Sequence, residues 1–232
     1  HGASDTATLK ITVTGVNDDP EAAAATDAGD EDTVISGSVT ATDIDDGAVL
    51  SYALVGAAPA GLTFNPDGSY SLDAADAAYQ HLAAGATTEV EVTYEVTDQH
   101  GASDTATLKI TVTGVNDAPV LTGDRQATVL EGGTYVLTGT DLGFIDPDDN
   151  AAGVTFTVSG LTNGVIKVNG ATQTSFTGTQ LAAGQVSFVH NDSETLSATF
   201  QVSVEDGNED SSAPLASAFN LTVTPVADID AV

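Results

Sequence analysis

The stretch that decides the fold is residues 100–120, HGASDTATLKITVTGVNDAPV. Ala106, Leu108, Ile110 and Val112 fall on one face of an alternating run, with Thr107, Lys109, Thr111 and Thr113 on the other. That period of 2 predicts a strand buried on one side. The run breaks in Gly114-Val115-Asn116-Asp117-Ala118-Pro119, whose residues favour a turn and cannot continue a ladder. The same words open the chain: residues 1–18 repeat residues 100–117 letter for letter, and Pro20 answers Pro119. An identical repeat of this length, ending in a turn, marks the closing strand of a module and its linker. The chain therefore divides into three parts. Residues 1–18 are the terminal strand and linker of a preceding module, 19–117 one whole module, and 118–232 a second module of another kind.

The rest of the chain agrees. Its 232 residues suit two domains of about 100 residues each. Short runs rich in Val and Thr recur at regular spacing: 31–42, 49–55, 62–64, 69–72 and 89–97, then 128–130, 134–138, 154–159, 165–168, 196–204 and 219–223. About seven short strands per module predict all-β sandwiches. Asn65-Pro66-Asp67-Gly68 carries the turn chemistry of a hairpin. Residues 74–84 and 176–189 each read as containing a brief helical turn, and 19–30 as an irregular lead-in. Glu89, Glu91 and Glu95 face outward on their strand and come near Lys109 if the two strands pair. There is no Cys, so no disulfide framework is available.

Charge narrows the function. Four Lys+Arg stand against 34 Asp+Glu, a formal net charge of −30. With no basic patch to neutralise phosphates, nucleic acid is not a partner, nor is an anionic membrane. No run of 18 apolar residues occurs, so no membrane insertion is expected. The apolar residues are periodic, so the acids decorate a folded surface that tolerates high salt or collects cations.

Residues 31–120 resemble a VCBS-type cadherin-like repeat of giant bacterial surface adhesins, through SGSVTATDIDDG, NPDGSYSLDAADAAYQHLAAG, EVTYEVTDQHG and TLKITVTGVNDAPV. Residues 120–226 resemble the cadherin-like repeat named after chondroitin-sulfate proteoglycans, through VLEGG, FIDPDD, FTGTQLAAGQVSFVHNDSE, FQVSVEDGNED and LTVTPV. The resemblance implies tandem cadherin/Ig-like sandwiches in a long stalk stiffened by calcium. It also implies an extracellular, cell-surface place, often in RTX proteins exported by type I secretion. The calcium-binding nonapeptide repeat of such proteins is absent from this sequence.

The acids fall where the topology gathers loops at one end of each sandwich. For the second module these are Asn116, Asp117, Asp146, Asp148 and Asp206; for the first, Asn17, Asp18, Asp43, Asp45 and Asp98. Calcium takes 6–8 oxygen ligands, and two or three carboxylates with carbonyls and water fill its sphere. Glu31 and Glu131, each near the first strand of a module, are further candidate ligands. The run 146–150, DPDDN, is not an EF-hand loop, lacking the Gly and Glu that motif requires.

Catalysis is not expected. There is no Cys nucleophile, HExxH, Gly-x-Ser-x-Gly elbow or phosphate loop. The leading reading is a structural extender of an adhesin stalk with Ca2+ at module junctions, whose partners are neighbouring modules of the same chain. Any surface or biofilm ligand would then be taken by other domains. The alternative is a module that binds sugar or protein through loops of the second domain. Residues 5–14, a strand whose slot in the first module already holds identical residues, are expected to lie extended and open to intermolecular strand pairing.

Overall fold

In a computed structural model, which describes residues 1–207 and 214–227, the chain is all β with one short helix. It forms two compact units. Unit 1 comprises residues 1–29, 34–73 and 89–111; unit 2 comprises 30–33, 74–88 and 112–232.

Unit 1 is built from β1 (Glu21–Ala22), β2 (Ala25–Asp30), β3 (Val34–Ser38), β4 (Ala41–Thr42), β5 (Ser51–Leu54), β6 (Leu62–Phe64), β7 (Ser69–Asp73), β8 (Thr87–Thr97) and β9 (Ser103–Thr113). One sheet runs β2-β9-β8-β5 and another β3-β7-β6, with β1 and β4 pairing separately. The alternating run lies in β9, where Leu108 and Ile110 are fully buried, and β8 buries Tyr94 and Val96. Lys109 bridges Glu89 at 2.9 Å and Glu91 at 2.8 Å on the solvent face. Glu95 instead accepts the Ser103 hydroxyl. The hairpin at residues 65–68 joins β6 to β7 as expected.

Three local expectations needed correction. The lead-in is not irregular, because β2 alternates half-buried and exposed residues and pairs in the main sheet. Its Ala, Gly and Asp content hid the period. The run 31–42 is broken rather than continuous: Asp32 has φ +63° in the left-handed region, which turns the chain before β3. Residues 74–84 form turns and no helix.

Unit 2 contains β10 (Val120–Thr122), β11 (Gln126–Leu130), β12 (Thr134–Val136), β13 (Gly143–Ile145), β14 (Thr155–Ser159), β15 (Gly164–Val168), β16 (Ala171–Thr172), β17 (Ser175–Thr177), α1 (Gly178–Ala182), β18 (Val186–His190), β19 (Ser197–Glu205) and β20 (Ser217–Thr224). Two sheets, β11-β20-β19-β14-β17 and β12-β18-β15-β16, enclose one core. The cross-strand pairs Phe200–Phe219 and Phe156–Phe176 stack at 4.6 and 5.3 Å between ring centroids. Each pair adds about 0.5–1.5 kcal/mol to the area it buries. A capping box of Thr177 and Gln180 starts α1. The acidic run 141–150, which reads as a loop from its sequence, contains a short strand, β13.

The two copies of the eighteen-residue repeat differ. Residues 104–113 occupy the slot in β9, whereas residues 1–18 form no strand and every one of them is exposed.

Candidate metal centre

Unit 2 draws acids from distant stretches onto one linker. The Glu31 amide donates to Thr113 O at 2.8 Å, and its Oε1 accepts the Val115 N–H at 2.6 Å. Gly114 donates to Ala86 O at 2.7 Å and its carbonyl takes the Gly85 N–H at 2.9 Å. A Cβ at Gly114 would run into the carbonyls of Leu82 and Ala83, so the repeat's Gly is required by close backbone approach. These bonds hold the chain through Asn116 and Asp117. Asn116, buried, donates its Nδ2 to Asp206 Oδ2 at 2.8 Å. Asp146 Oδ1 accepts the amides of Asp148 at 3.2 Å and Asp149 at 2.8 Å, which turns the loop toward the same place. One oxygen from each of Asp146, Asp149 and Asp206 lies within 4.8 Å of the others.

The decisive observation concerns oxygens short of partners. Buried without a hydrogen bond of good geometry are Glu31 Oε2, Asp117 Oδ2, Asp146 Oδ2, both oxygens of Asp148, and Asp206 Oδ1. A buried polar atom left unsatisfied costs about 1–3 kcal/mol, more if charged. The fold can satisfy an acid where it needs one for structure. Buried Asp141 takes the Tyr135 hydroxyl at 3.0 Å on one oxygen, and the Thr138 amide and hydroxyl at 2.7 and 2.8 Å on the other.

Electrostatics point the same way. Burial and the neighbouring Asp146 carboxylate push Asp148 up to about 7. Burial raises Asp117, helped by the charges of Asp32 and Asp146. Burial also raises Glu31 against the lowering effect of the Val115 amide, with Asp117 and Asp32 adding to the rise. Two carboxylate charges within 4.8 Å of one another repel by at least about 3 kcal/mol at an effective dielectric near 20. A hard cation with 6–8 oxygen ligands removes both penalties, so the residues fit calcium.

Of the candidates for this centre, Glu31, Asn116, Asp117, Asp146, Asp148 and Asp206 are linked by these contacts. Asp149 stands with Asp146 and Asp206, and exposed Asp32, whose Oδ1 accepts the Gln80 amide, acts on Glu31 and Asp117 through its charge; both were missed from sequence. Asp149 had a signal in the run 146–150, where one Asp capping two following amides brings a third carboxylate round. Asp32 had none, because its part depends on a positive φ.

Unit 1 holds a sparser set. Asp45 Oδ2 accepts the Asp18 amide and Asp43 Oδ1 the Asp45 amide, both at 2.8 Å. Asp98 Oδ1 accepts the His100 and Ala102 amides at 2.9 and 2.8 Å. Burial pushes Asp98 up, but hydrogen bonding from Asn17 and from the amides of residues 100–102 outweighs it and leaves the carboxyl below its usual range. Only Asp43 Oδ2 and Asp98 Oδ2 here are buried without a hydrogen bond of good geometry.

Glu131 does not join either set in the contacts described. Its amide donates to Thr224 O at 2.9 Å and its Oε2 accepts the Val226 N–H at 3.1 Å. That repeats the Glu31 arrangement on Thr113 and Val115 one module further on. The acidic run 206–210, DGNED, which reads as a loop from its sequence, lies outside the described residues beyond Gly207.

The histidines serve structure where their bonds are seen. His190 is buried, its Nδ1 accepting the amides of Gly132 and Asp192 at 3.2 Å.

Comparison with known proteins adds the domain types. Residues 17–114 match the bacterial cadherin-like domain and residues 119–223 a cadherin-like domain model. Among solved structures the chain resembles PcdhgB3 EC1-4 (TM-score 0.56, 13% identity, 90% of this chain and 50% of that one). It also resembles Drosophila N-cadherin EC1-4 (0.55, 16%, 91% and 50%) and human mucin-like protocadherin EC1-2 (0.55, 14%, 89% and 98%). The chain thus spans about half the length of the first of these. At such identities the likeness concerns the fold. No curated protein matches by sequence.

Proposed function

We propose that this chain, a tandem pair of cadherin-like domains whose first is of the bacterial type, is a calcium-stiffened extender segment of a bacterial cell-surface adhesin. The observation that carries the reading is the set of six buried carboxylate oxygens in unit 2 that lack a hydrogen bond of good geometry. They come from the turn before β3, the linker at Asp117, the loop after β13 and the end of β19. Calcium supplies the positive charge that these oxygens lack. Glu31, Asp117, Asp146, Asp148 and Asp206 would ligate it, with Asp32 and Asp149 alongside. Asn116 orients Asp206, and the Glu31–Val115 and Gly114 bonds hold the linker in place. The sparser set at Asn17, Asp18, Asp43, Asp45 and Asp98 would take calcium more weakly.

The role is mechanical rather than catalytic. An extracellular place and the VCBS, RTX and type I secretion affinities belong to the same reading and rest on the sequence words and the bacterial domain type. Sugar capture through unit 2 is less well supported, because Phe156, Phe176, Phe188, Phe200 and Phe219 are committed to its core. The test is calorimetric titration of the chelated protein with calcium. Saturable binding at roughly 10⁻⁴–10⁻³ M or tighter, the range of extracellular calcium modules, is expected. Loss of that binding in Asp148→Asn and Asp206→Asn, with the fold retained, supports the centre; binding unchanged in both variants overturns it.

A further inference from the structure

Within unit 2 a small ribbon outside the two main sheets brings the linker acid to the loop acids. β10 pairs antiparallel with β13, Val120 with Ile145, Leu121 with Phe144 and Thr122 with Gly143. Continued past the strand ends, that register sets Pro119 opposite Asp146 and Asp117 opposite Asp148. The Asp117 amide does face the Asp148 carboxylate. A two-stranded ribbon of this length is marginal by itself. Its inner residues, Leu121 and Phe144, pack on the core, with Phe144 edge-on to Phe156 at 6.4 Å between ring centroids. Val120 and Ile145 on the other side are exposed. The acids at one end repel, so the other end has to be tied down.

Asp141 stands at that other end. Its buried carboxylate takes three donors: the Tyr135 hydroxyl on one oxygen, the Thr138 amide and hydroxyl on the other. Tyr135 belongs to β12, in the four-stranded sheet, and Thr138 follows that strand. The Asp141 backbone is fastened as well. Its carbonyl accepts the Arg125 amide at 3.0 Å, and its own amide donates to Thr138 O at 3.1 Å. The Asp124 amide donates to Thr140 O at 3.1 Å. Gly123, at φ +99°, passes so close that a Cβ there would run into the Asp141 carbonyl. One residue thus joins β12 to both strands of the ribbon.

We infer that Asp141 is a positioning residue of the calcium centre: its carboxylate pins the ribbon to β12, and the pinned register holds the 146–149 loop against Asp117. The ligand rests on the calcium reading; the placement rests on the ribbon alone. Hydrogen bonds to a charged, buried acceptor are the strong ones, and three of them hold the ribbon closed against the repulsion of the acids. Without them the ribbon opens part of the time and the acids separate. Calcium then binds only the closed fraction, and the apparent dissociation constant rises as that fraction falls.

Amide hydrogen exchange across residues 119–146 of the whole chain in EDTA, together with calorimetric calcium titration, tests the inference. In Asp141→Ala, exchange in β10 and β13 quickens at least about tenfold while β19 and β20 keep their protection, and calcium slows it again. The calcium dissociation constant at unit 2 rises by about the same factor. Should Asp141→Ala fail to fold, Thr138→Val, at an exposed position, removes one donor and moves both readouts the same way by about threefold. Thr138→Ser restores them. Val168→Ala empties a core position in β15; it lowers the melting temperature and leaves the dissociation constant unchanged, which separates positioning from loss of stability. Unchanged exchange or unchanged calcium affinity in folded Asp141→Ala overturns the inference, and so does a Thr138→Val protein that behaves as wild type. A wild-type chain that binds no calcium removes the calcium reading instead, and the exchange result still decides whether Asp141 holds the ribbon.

Discussion

The repeat HGASDTATLKITVTGVND meets two fates. In residues 100–117 its Leu and Ile, at 108 and 110, are fully buried between neighbouring strands, and its Asn116 is buried against Asp206. In residues 1–18 the matching Leu9 and Ile11 are 82% and 74% exposed. Lys109 bridges two glutamates, while Lys10 has no ion pair among the described residues. Identical propensities thus give a strand in one place and none in the other. What differs is the chain on either side. Residues 104–113 follow β8 through a five-residue turn and reach the slot at little entropic cost. The leader would have to return from the other end of the module. The acidic ends differ likewise: Asn116-Asp117 meet Glu31 and Asp32, while Asn17-Asp18 have no counterpart of those residues in unit 1.

Removing calcium should bring the largest effect and divide the two acidic sets. At 100 times its dissociation constant one ion adds about 2.7 kcal/mol. For a domain of about 100 residues that is roughly 10–20 °C in melting temperature. EDTA at moderate salt should therefore lower the unfolding of unit 2 by at least this much and move unit 1 less. Calorimetric scans in calcium and in EDTA would show it. Equal shifts in the two units would mean that the six buried oxygens do not set the strength of the site.

Neutralising a single acid should change sign with calcium. Asp148→Asn should weaken calcium binding but stabilise the chelated protein, because it removes a charge raised by burial and by Asp146. After discounting for solvent screening, the gain in EDTA is about 1 kcal/mol. The matching Asp45→Asn should do little in EDTA, since Asp45 Oδ2 already accepts the Asp18 amide. A loss of stability for Asp148→Asn in EDTA would contradict the repulsion inferred there.

The strand pattern of β8, β9 and the β6-β7 hairpin was legible because one buried face imposes a period of 2. The paired acids were legible because the repeat fixed the linker and the Asp-x-Asp words fixed the loops. The rest was not local information. Asp32 is placed by a left-handed backbone angle, and Asp149 by a turn set by Asp146. The β2 period was lost because Ala and Gly carry too little apolar weight to mark a buried face.

Protons should separate the sets more gently. Asp148 has a folded value raised to about 7 from 3.8, so the metal-free fold binds a proton that the unfolded chain has lost. Its contribution is therefore present at low pH and lost as pH rises from about 4 through about 7. Calcium competes with that proton, and affinity at the unit 2 centre should fall as pH drops below about 7. At the unit 1 set Asp98 is held below the ordinary carboxylate range, so affinity there should change less over the same pH window. Titrations at several pH values would show the two profiles; a level profile at unit 2 would remove Asp148 from the ligand set.

The smallest effect should come from the leader, where the comparison began. Deleting residues 1–16 keeps Asn17 and Asp18 and removes a segment that is exposed throughout and forms no strand. Surface changes of that kind alter stability by about 0.5 kcal/mol or less, so the unfolding of unit 1 should hardly move. The same residues in β9 behave otherwise. Leu108→Ala empties a fully buried position and should cost about 2–5 kcal/mol, whereas Leu9→Ala should cost nothing measurable. The leader's exposed Leu9, Ile11 and Val13 also form an unpaired strand that another molecule's sheet edge would accept, and we propose that it pairs in this way. Deletion should then reduce any self-association of the chain. If Leu9→Ala destabilises unit 1 as Leu108→Ala does, the leader exchanges with β9 in its slot, and chain connectivity does not choose between the copies.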